Sequence, residues 1–340
     1  MDPYGLRRVI APKGVLPQSA DVLDPSLPTG EDELAIDVEA LNVDAASFRQ
    51  VEGAVGRDAA RIAAEVERIV RARGKLHNSV TGSGGMLIGR VAEVGPRHPA
   101  AGALREGDRV ATLVSLTLTP LALHRVTAVR PEIDRVECEG RAILFATGLW
   151  ARLPDDLPER LALAALDVCG APALVARHVR PGQRVLVLGA GKSGTLVCAQ
   201  AKDQLAGRGE VVAADRSGEA LAAIAALGVC DRTLALDATD APGSLARVEA
   251  AGGRFDLVVS CATVPGAEMA AILCVRDGGT VLFFSMATSF TAAALGAEGV
   301  GRDAHLVIGN GYVPGHADLT LDLLRRHPRL RAAFEERYAR

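Results

Sequence analysis

From Arg184 onward the apolar residues fall in short unbroken runs separated by Ala/Leu-rich segments. The runs are RVLVLGAG (184–191), EVVAAD (210–215), RTLALDA (232–238), FDLVVSCA (255–262), GTVLFFSM (279–286) and AHLVIGN (304–310). A strand that is apolar on both sides belongs to a parallel sheet covered on both faces. The segments between them, such as SGTLVCAQAKDQL and SGEALAAIAALG, are good helix formers that end near Gly. Six strands alternating with helices predict an α/β doubly wound parallel sheet of the Rossmann type. The first 150 or so residues follow a different rule. Short alternating runs at 33–43, 86–95, 108–116 and 124–129 are divided by Pro/Gly-rich turns, which predicts a small antiparallel barrel or sandwich. One amphipathic helix interrupts it at 57–73, with Ile62, Val66, Ile69 and Val70 on one face.

A chain of 340 residues with 49% apolar content is long enough for two packed domains. The prolines of LPDDLPERLALAAL place the boundary near residue 152, giving domains 1–152 and 153–340. With 38 Lys plus Arg against 41 Asp plus Glu, no global cationic field is available to hold a nucleic acid. Aromatic residues are only 3%, too few for base-stacking platforms. The six cysteines are scattered without a CxxC pair, which argues against zinc clusters and disulfide frameworks and fits a reducing cytoplasm. The N-terminal residues have no signal-peptide pattern, and the uncharged stretch 278–297 is too rich in Ser, Thr and Gly for a membrane span.

Candidate chemistry concentrates where glycine does. Gly189-Ala190-Gly191-Lys192-Ser193-Gly194 follows the first strand of the parallel set and opens a helix. In a GxGxxG loop the first glycine allows the tight turn, the second lets a pyrophosphate approach the backbone, and the third lets helix and strand close together. The helix N-terminus adds free N–H groups and a positive dipole end. Asp215 ends the next strand, about twenty residues on, where a carboxylate meets the ribose hydroxyls of NAD and repels the 2′-phosphate of NADP. Arg216 beside it softens that preference, leaving NADP as the weaker alternative. A GxxxxGKS phosphate loop is excluded, because Leu186 stands where its first glycine would be. Cys261, Ala262, Thr263, Ser285 and Met286 follow the fourth and fifth strands at the carboxyl edge, where open α/β sheets bind ligands, and are further cofactor candidates.

A barrel-like domain followed by such a sheet resembles the medium-chain dehydrogenase/reductase superfamily, which implies a GroES-like N-terminal barrel. In its zinc alcohol dehydrogenases, a Cys follows the strand matching LAIDVEAL, a Gly-His-Glu precedes a VxxVG signature, and a third Cys precedes the glycine loop. Asp44, Gly85 and Cys169 stand at those positions here. One thiol, one carboxylate and no imidazole are a poor zinc set, so no metal is expected. The segments GKLHNSVTGSGGMLIG (74–89) and NGYVPGHADLTLDLLR (310–325) are similar to the L-erythro-3,5-diaminohexanoate dehydrogenase family, a zinc-free branch of lysine fermentation. That resemblance implies NAD-dependent oxidative deamination of a diamino acid to 5-amino-3-oxohexanoate and ammonia.

Such chemistry needs a group that takes a proton from the 3-ammonium. An aliphatic amine of pKa about 10 costs roughly 4 kcal/mol to deprotonate at pH 7. His77 and Lys75 are the candidates, because a base works best near the operating pH. Asp44 is a candidate for holding an ammonium electrostatically. Ser83, Thr81 and Asn78 are candidates for orienting the carboxylate or the imine-hydrolysing water, Gly84 and Gly85 with Gly82 for an anion nest, and Tyr312 for reaching the cleft from the GNGY turn. Each has a structural alternative: Asp44 as the cap of a helix at AASF, Lys75 as a solvated charge at a helix end, His77 as a loop hydrogen-bond partner, and GSGG as a hairpin turn. Cys169, His305 and His316 are expected to be structural. The competing functions are a zinc-free quinone or enoyl reductase and a non-catalytic NAD(H) sensor. A homodimer joined through the sixth strand is expected, since AHLVIGN is otherwise an open edge.

Overall fold

The computed structural model describes residues 1–78, 82 and 84–339, and the chain divides into two compact units, Met1–Asp156 and Leu157–Arg340. The first unit runs β1 (Val9–Ala11), β2 (Val22–Leu23), β3 (Glu33–Asn42), α1 (Ala45–Val55), α2 (Ala59–Arg73), β4 (Met86–Val94), β5 (Arg109–Thr112), β6 (Leu121–Arg130), β7 (Arg135–Phe145) and β8 (Trp150–Arg152). β1 and β2 form a small ribbon, and the other six strands make one antiparallel sheet in the order β6-β7-β3-β4-β5-β8. β3 is central and almost wholly buried, pairing with β4 on one side and β7 on the other. β7 was not anticipated: in RVECEGRAILF the charges Glu137, Glu139 and Arg141 alternate on the outward face, and the inward face carries the small residues Cys138, Gly140 and Ala142, a weak apolar signal. α1 was anticipated only at its start, as a helix at AASF that Asp44 could cap, and it runs on to Val55.

The inserted helix spans Ala59–Arg73, and its apolar stripe does what the spacing predicts. Ile62, Val66 and Val70 are buried, each worth about 1.5–3 kcal/mol. Asp58 caps its start by accepting from Arg61 N, and Gly74, at φ +62, ends it in the left-handed region that favours glycine. The Leu121 N–H then donates to Gly74 O at 2.8 Å, tying the helix end to the start of β6.

An ion cluster anchors the N-terminal segment to β3. Arg8 is fully buried and donates twice to the Glu33 carboxylate at 2.7 Å, while Arg7 adds a bond of 2.6 Å and Gly30 N one of 2.7 Å. Burial alone would push the Glu33 carboxyl up, but the bonds from Arg8 and Arg7 outweigh it and hold the group at about 2, against its ordinary 4.5. A depressed carboxyl stabilises the fold above its unfolded value and loses that contribution as pH falls from 4.5 through about 2. We therefore expect Glu33→Gln to cost about 3 kcal/mol in denaturant unfolding at pH 7, with the gap to the native chain closing as pH drops below 4. A gap that is constant with pH would contradict this assignment.

The second unit runs α3 (Glu159–Leu166), α4 (Gly170–His178), β9 (Arg184–Leu188), α5 (Lys192–Leu205), β10 (Glu210–Asp215), α6 (Gly218–Leu227), β11 (Arg232–Ala235), α7 (Ala241–Ala250), β12 (Phe255–Ser260), α8 (Glu268–Cys274), β13 (Val275–Phe283), α9 (Phe290–Gly299), β14 (Ala304–Ile308), α10 (His316–Arg326) and α11 (Pro328–Tyr338). All six predicted strands are present, in one parallel sheet of order β11-β10-β9-β12-β13-β14. Leu186, Leu188, Val212 and Ala214 pack with Ala271 and Ile272 of α8, while a Cβ on Gly194 of α5 would lie 3.4 Å from Val187 on the other face. Both faces are covered, which is why the strands lack a polar side. The order reverses between β9 and β12, the switch point where such sheets bind ligands. β13 ends at Phe283, short of the expected 286, so Ser285 and Met286 lie in the loop beyond it. Among the described residues no single helix is long and apolar enough to cross a membrane.

Candidate active site

The glycine loop lies at the switch point, and its three glycines stand in three different backbone environments. Gly189 has φ +98, and a Cβ there would lie 2.9 Å from Ala262 N on the segment after β12. At Gly194 a Cβ would fall 1.8 Å from Gly189 O, so only glycine lets α5 start this close above β9. Gly191 faces open space, and no side chain caps the N-terminus of α5. In front of it opens a cavity of about 530 Å³ lined by Gly189, Gly191, Lys192, Ser193, Gly194, Asp215, Arg216, Cys261, Ala262 and Thr263. Asp215 braces the loop, accepting from Ala190 N at 2.8 Å through one oxygen and from Ser217 N at 2.9 Å through the other. Lys192 pairs with Asp167 and lies 5.8 Å from the centre of the Tyr338 ring.

The sequence reading needs changes at this cavity. Ser285 and Met286 do not line it, and Met286 projects into solvent at 99% exposure, because β13 stops before them. Ala190 is buried in the turn and contributes its backbone. Asp167 and Val168 from the end of α3, Val264, and Leu236, Asp237, Ala238 and Thr239 after β11 line the wall without having been anticipated. The 236–239 stretch could have been found, since it follows a strand of the same sheet edge; Asp167 and Val168 precede the glycine loop and carry no motif.

In the first unit, Gly85 is packed closely against backbone. Gly85 has φ +91, and a Cβ on it would lie 2.2 Å from Asn42 O and 2.6 Å from Asp44 N. Gly85 therefore sits against Asp44 and leaves no room for a side chain. Asp44 is the N-cap of α1: it accepts from Ser47 N at 2.9 Å and from the Ser47 hydroxyl at 2.6 Å. The Asn78 amide donates to Ser47 Oγ at 3.2 Å, and Ser47 and Asn78 are both buried. Cys169 is buried, and loss of solvation pushes its thiol up to about 12, so it behaves as a small apolar residue. Among the described residues no group of three or more His, Cys, Asp or Glu is placed to hold a metal ion.

Lys75 and His77, two residues apart, have different surroundings. Lys75 is wholly buried, its Nζ donating to Pro17 O at 3.0 Å, which overturns the reading of a solvated helix-end charge. Burial, then the Arg73 charge, lowers it to about 8. His77 and Asn78 line a second cavity, of about 150 Å³, walled by α1 and α2. The Nδ1 atom of His77 is buried with no hydrogen-bond partner among the described residues. Desolvation, then the charges of Lys75 and Arg73, lowers its pKa, so the ring is neutral at pH 7. Gly84 is buried, where a Cβ would lie 2.7 Å from Leu76 O, and Gly82 N donates to Asn78 O at 2.9 Å. Thr81 and Ser83 lie outside the described residues. Tyr312 is in the second unit, its ring edge-on to His316 at 5.4 Å and its N–H donating to Asn310 Oδ1.

Comparison with known proteins settles the family. Residues 7–154 match the model of the L-erythro-3,5-diaminohexanoate dehydrogenase N-terminal domain. Proteins named L-erythro-3,5-diaminohexanoate dehydrogenase from Acetoanaerobium sticklandii and Fusobacterium nucleatum are 49% and 46% identical, each alignment covering 98% of this chain and 98% of the relative. The chain belongs to this family. It is accordingly an oxidoreductase, a dehydrogenase with the medium-chain dehydrogenase/reductase fold. A mycobacterial protein solved in complex with NADPH shares that fold at a TM-score of 0.54 and 18% identity, over 93% of this chain and 84% of its own.

A nicotinamide dinucleotide is the cofactor of this dehydrogenase, and the residues present fit one: an open glycine at the loop's centre, an uncapped helix N-terminus, and a cavity that runs to the carboxylate of Asp215. The two glycines that frame α5 should respond differently to a methyl group. Gly191→Ala should keep the melting temperature within a few degrees but weaken NADH binding at least tenfold, about 1.4 kcal/mol, by fluorescence titration. Gly194→Ala should lower both stability and binding. Equal behaviour of the two variants would contradict the assigned roles.

Proposed function

We propose that the protein oxidises the 3-amino carbon of L-erythro-3,5-diaminohexanoate with NAD, giving 5-amino-3-oxohexanoate, ammonium, NADH and a proton, with one water consumed. The bound cofactor supplies the hydride acceptor. Everything else falls to the chain. The substrate reaches the site as an ammonium and cannot release hydride until it is neutral, so His77, neutral and with a buried unpartnered nitrogen, takes the proton. Lys75 faces the Pro17 turn and serves to hold the segment before His77 in place. Asp44 fixes the start of α1, and through Ser47 it positions Asn78. The reading needs no zinc, and the close contact of Gly85 with Asn42 and Asp44, which leaves no room for a side chain there, supports it. The observation that carries this reading is the full-length similarity to relatives of that name, joined to that close contact.

NAD is the coenzyme in this reading, because the Asp215 carboxylate lines the cavity and disfavours a 2′-phosphate. The protein works in the cytoplasm, in keeping with six free cysteines, and needs no nucleic-acid or membrane partner. Two copies join through β14, whose edge is unpaired in the sheet and carries Ile308 at 59% exposure.

Purified protein with the diamino acid and NAD should raise absorbance at 340 nm and release ammonium in equal amount, with NADP at least a hundredfold poorer in kcat/KM. Turnover of simple alcohols and none of the diamino acid would overturn the reading. Size-exclusion chromatography should give twice the chain mass, and a monomer would refute the β14 contact.

A further inference from the structure

The 150 Å³ cavity of the first unit has an electrostatic character that the proton-transfer role of His77 does not use. Arg73, the last residue of α2, lines it and has no hydrogen bond or ion pair among the described residues. The neighbouring cation Arg68 is different, because it is paired at 2.7 Å with Glu65 on the same wall. The cavity therefore holds one neutral ion pair and one uncompensated guanidinium. A second cation, Lys75, is buried just behind it with only a carbonyl as its hydrogen-bond partner. At His77 burial first, and then both cations, lower the proton affinity, against a smaller opposing pull from the Asp21 carboxylate. An anion entering beside Arg73 would relieve all three groups, whereas an ammonium would not.

The cavity also has the right place and size. Ser47 and Asn78 form part of its wall and belong to the hydrogen-bonded chain that starts at Asp44, against which Gly85 packs. At about 150 Å³ the cavity is of the size that admits a benzene-sized group, room for a carboxylate and its methylene. The 3-amino group is two carbons from the carboxylate, so a carboxylate seated in the cavity leaves the amine near the cavity mouth, within the neighbourhood of His77. A guanidinium is also the side chain best shaped to grip a carboxylate through two parallel bonds.

We propose that this cavity seats the carboxylate end of the substrate and that Arg73 is the residue that pairs with it, setting the enzyme's preference for a 3-amino acid over a simple amine. The inference rests on the proposed deamination for the identity of the substrate, and on the cavity alone for its preference for a carboxylate.

The test pairs kinetics with binding. Arg73→Ala and Arg73→Lys would be compared with the native chain for the diamino acid, NAD and thermal melting. Arg73→Ala should raise the KM for the diamino acid at least tenfold, with a smaller change in kcat and none in the KM for NAD, and Arg73→Lys should recover part of the loss. In parallel, 3-aminobutanoate and its methyl ester would be titrated while the His77 imidazole is followed by NMR. The native chain should bind the acid at least tenfold more tightly than the ester, and Arg73→Ala should lose that preference. An Arg73→Ala protein with native melting, an unchanged KM and an intact acid preference would overturn the inference and leave the deamination standing. A native chain that prefers the acid through Arg73 but does not oxidise the diamino acid would uphold the carboxylate seat and sink the proposed reaction.

Discussion

The approach of Gly85 to the 42–44 backbone is the contact on which the first unit's chemistry depends. Because a Cβ at 85 would lie 2.2 Å from Asn42 O, the start of β4 and the end of β3 close to a distance that only glycine permits. That closure has three consequences. It leaves no room for a side chain at position 85, it holds Asp44 where its carboxylate caps α1, and the cap in turn holds Ser47 against Asn78. The result is a hydrogen-bonded corner between a strand and a helix.

The second unit follows the same rule of close backbone contact for another purpose. Gly194 over Gly189 O brings the helix N-terminus down to the sheet edge, and Asp215 fixes the loop between them by accepting from Ala190 N. The Asp215 carboxylate that lines the cavity also holds the glycine loop. A substitution at Asp215 would thus disturb the shape of the cavity as well as its charge, which makes it a poor single lever for changing coenzyme preference.

Much of this was legible in the sequence, for identifiable reasons. The six parallel strands could be read because burial on both faces leaves no polar position to confuse the period, and the inserted helix because its apolar stripe is regular. β7 was hidden by charges on its outward face, and α1 by the Gly, Gln and Arg of ASFRQVEGAV, which give a short helix little periodic signal. Among the residues that line the cavities, the glycines of the loop and Asp215 could be located by spacing, since the backbone sets their positions. Asp167, Val168 and Arg73 were not, because they join their cavities through tertiary packing, and no local pattern distinguishes them from ordinary helix-end residues. Ser285 and Met286 were misjudged by a strand end shifted by three residues. Lys75 shows the limit from the other side: a lysine just past a helix end has the sequence signature of a solvated charge, yet it is buried against Pro17.

The proposal that this site works without zinc stands on the close contact of Gly85 with the backbone at Asn42 and Asp44. The most direct measurement is turnover of the diamino acid by protein dialysed against a strong chelator, with bound metal counted by mass spectrometry on the same sample. The account expects undiminished turnover at far less than one metal ion per chain. Activity that disappears with the chelator and returns with zinc at one ion per chain would contradict it.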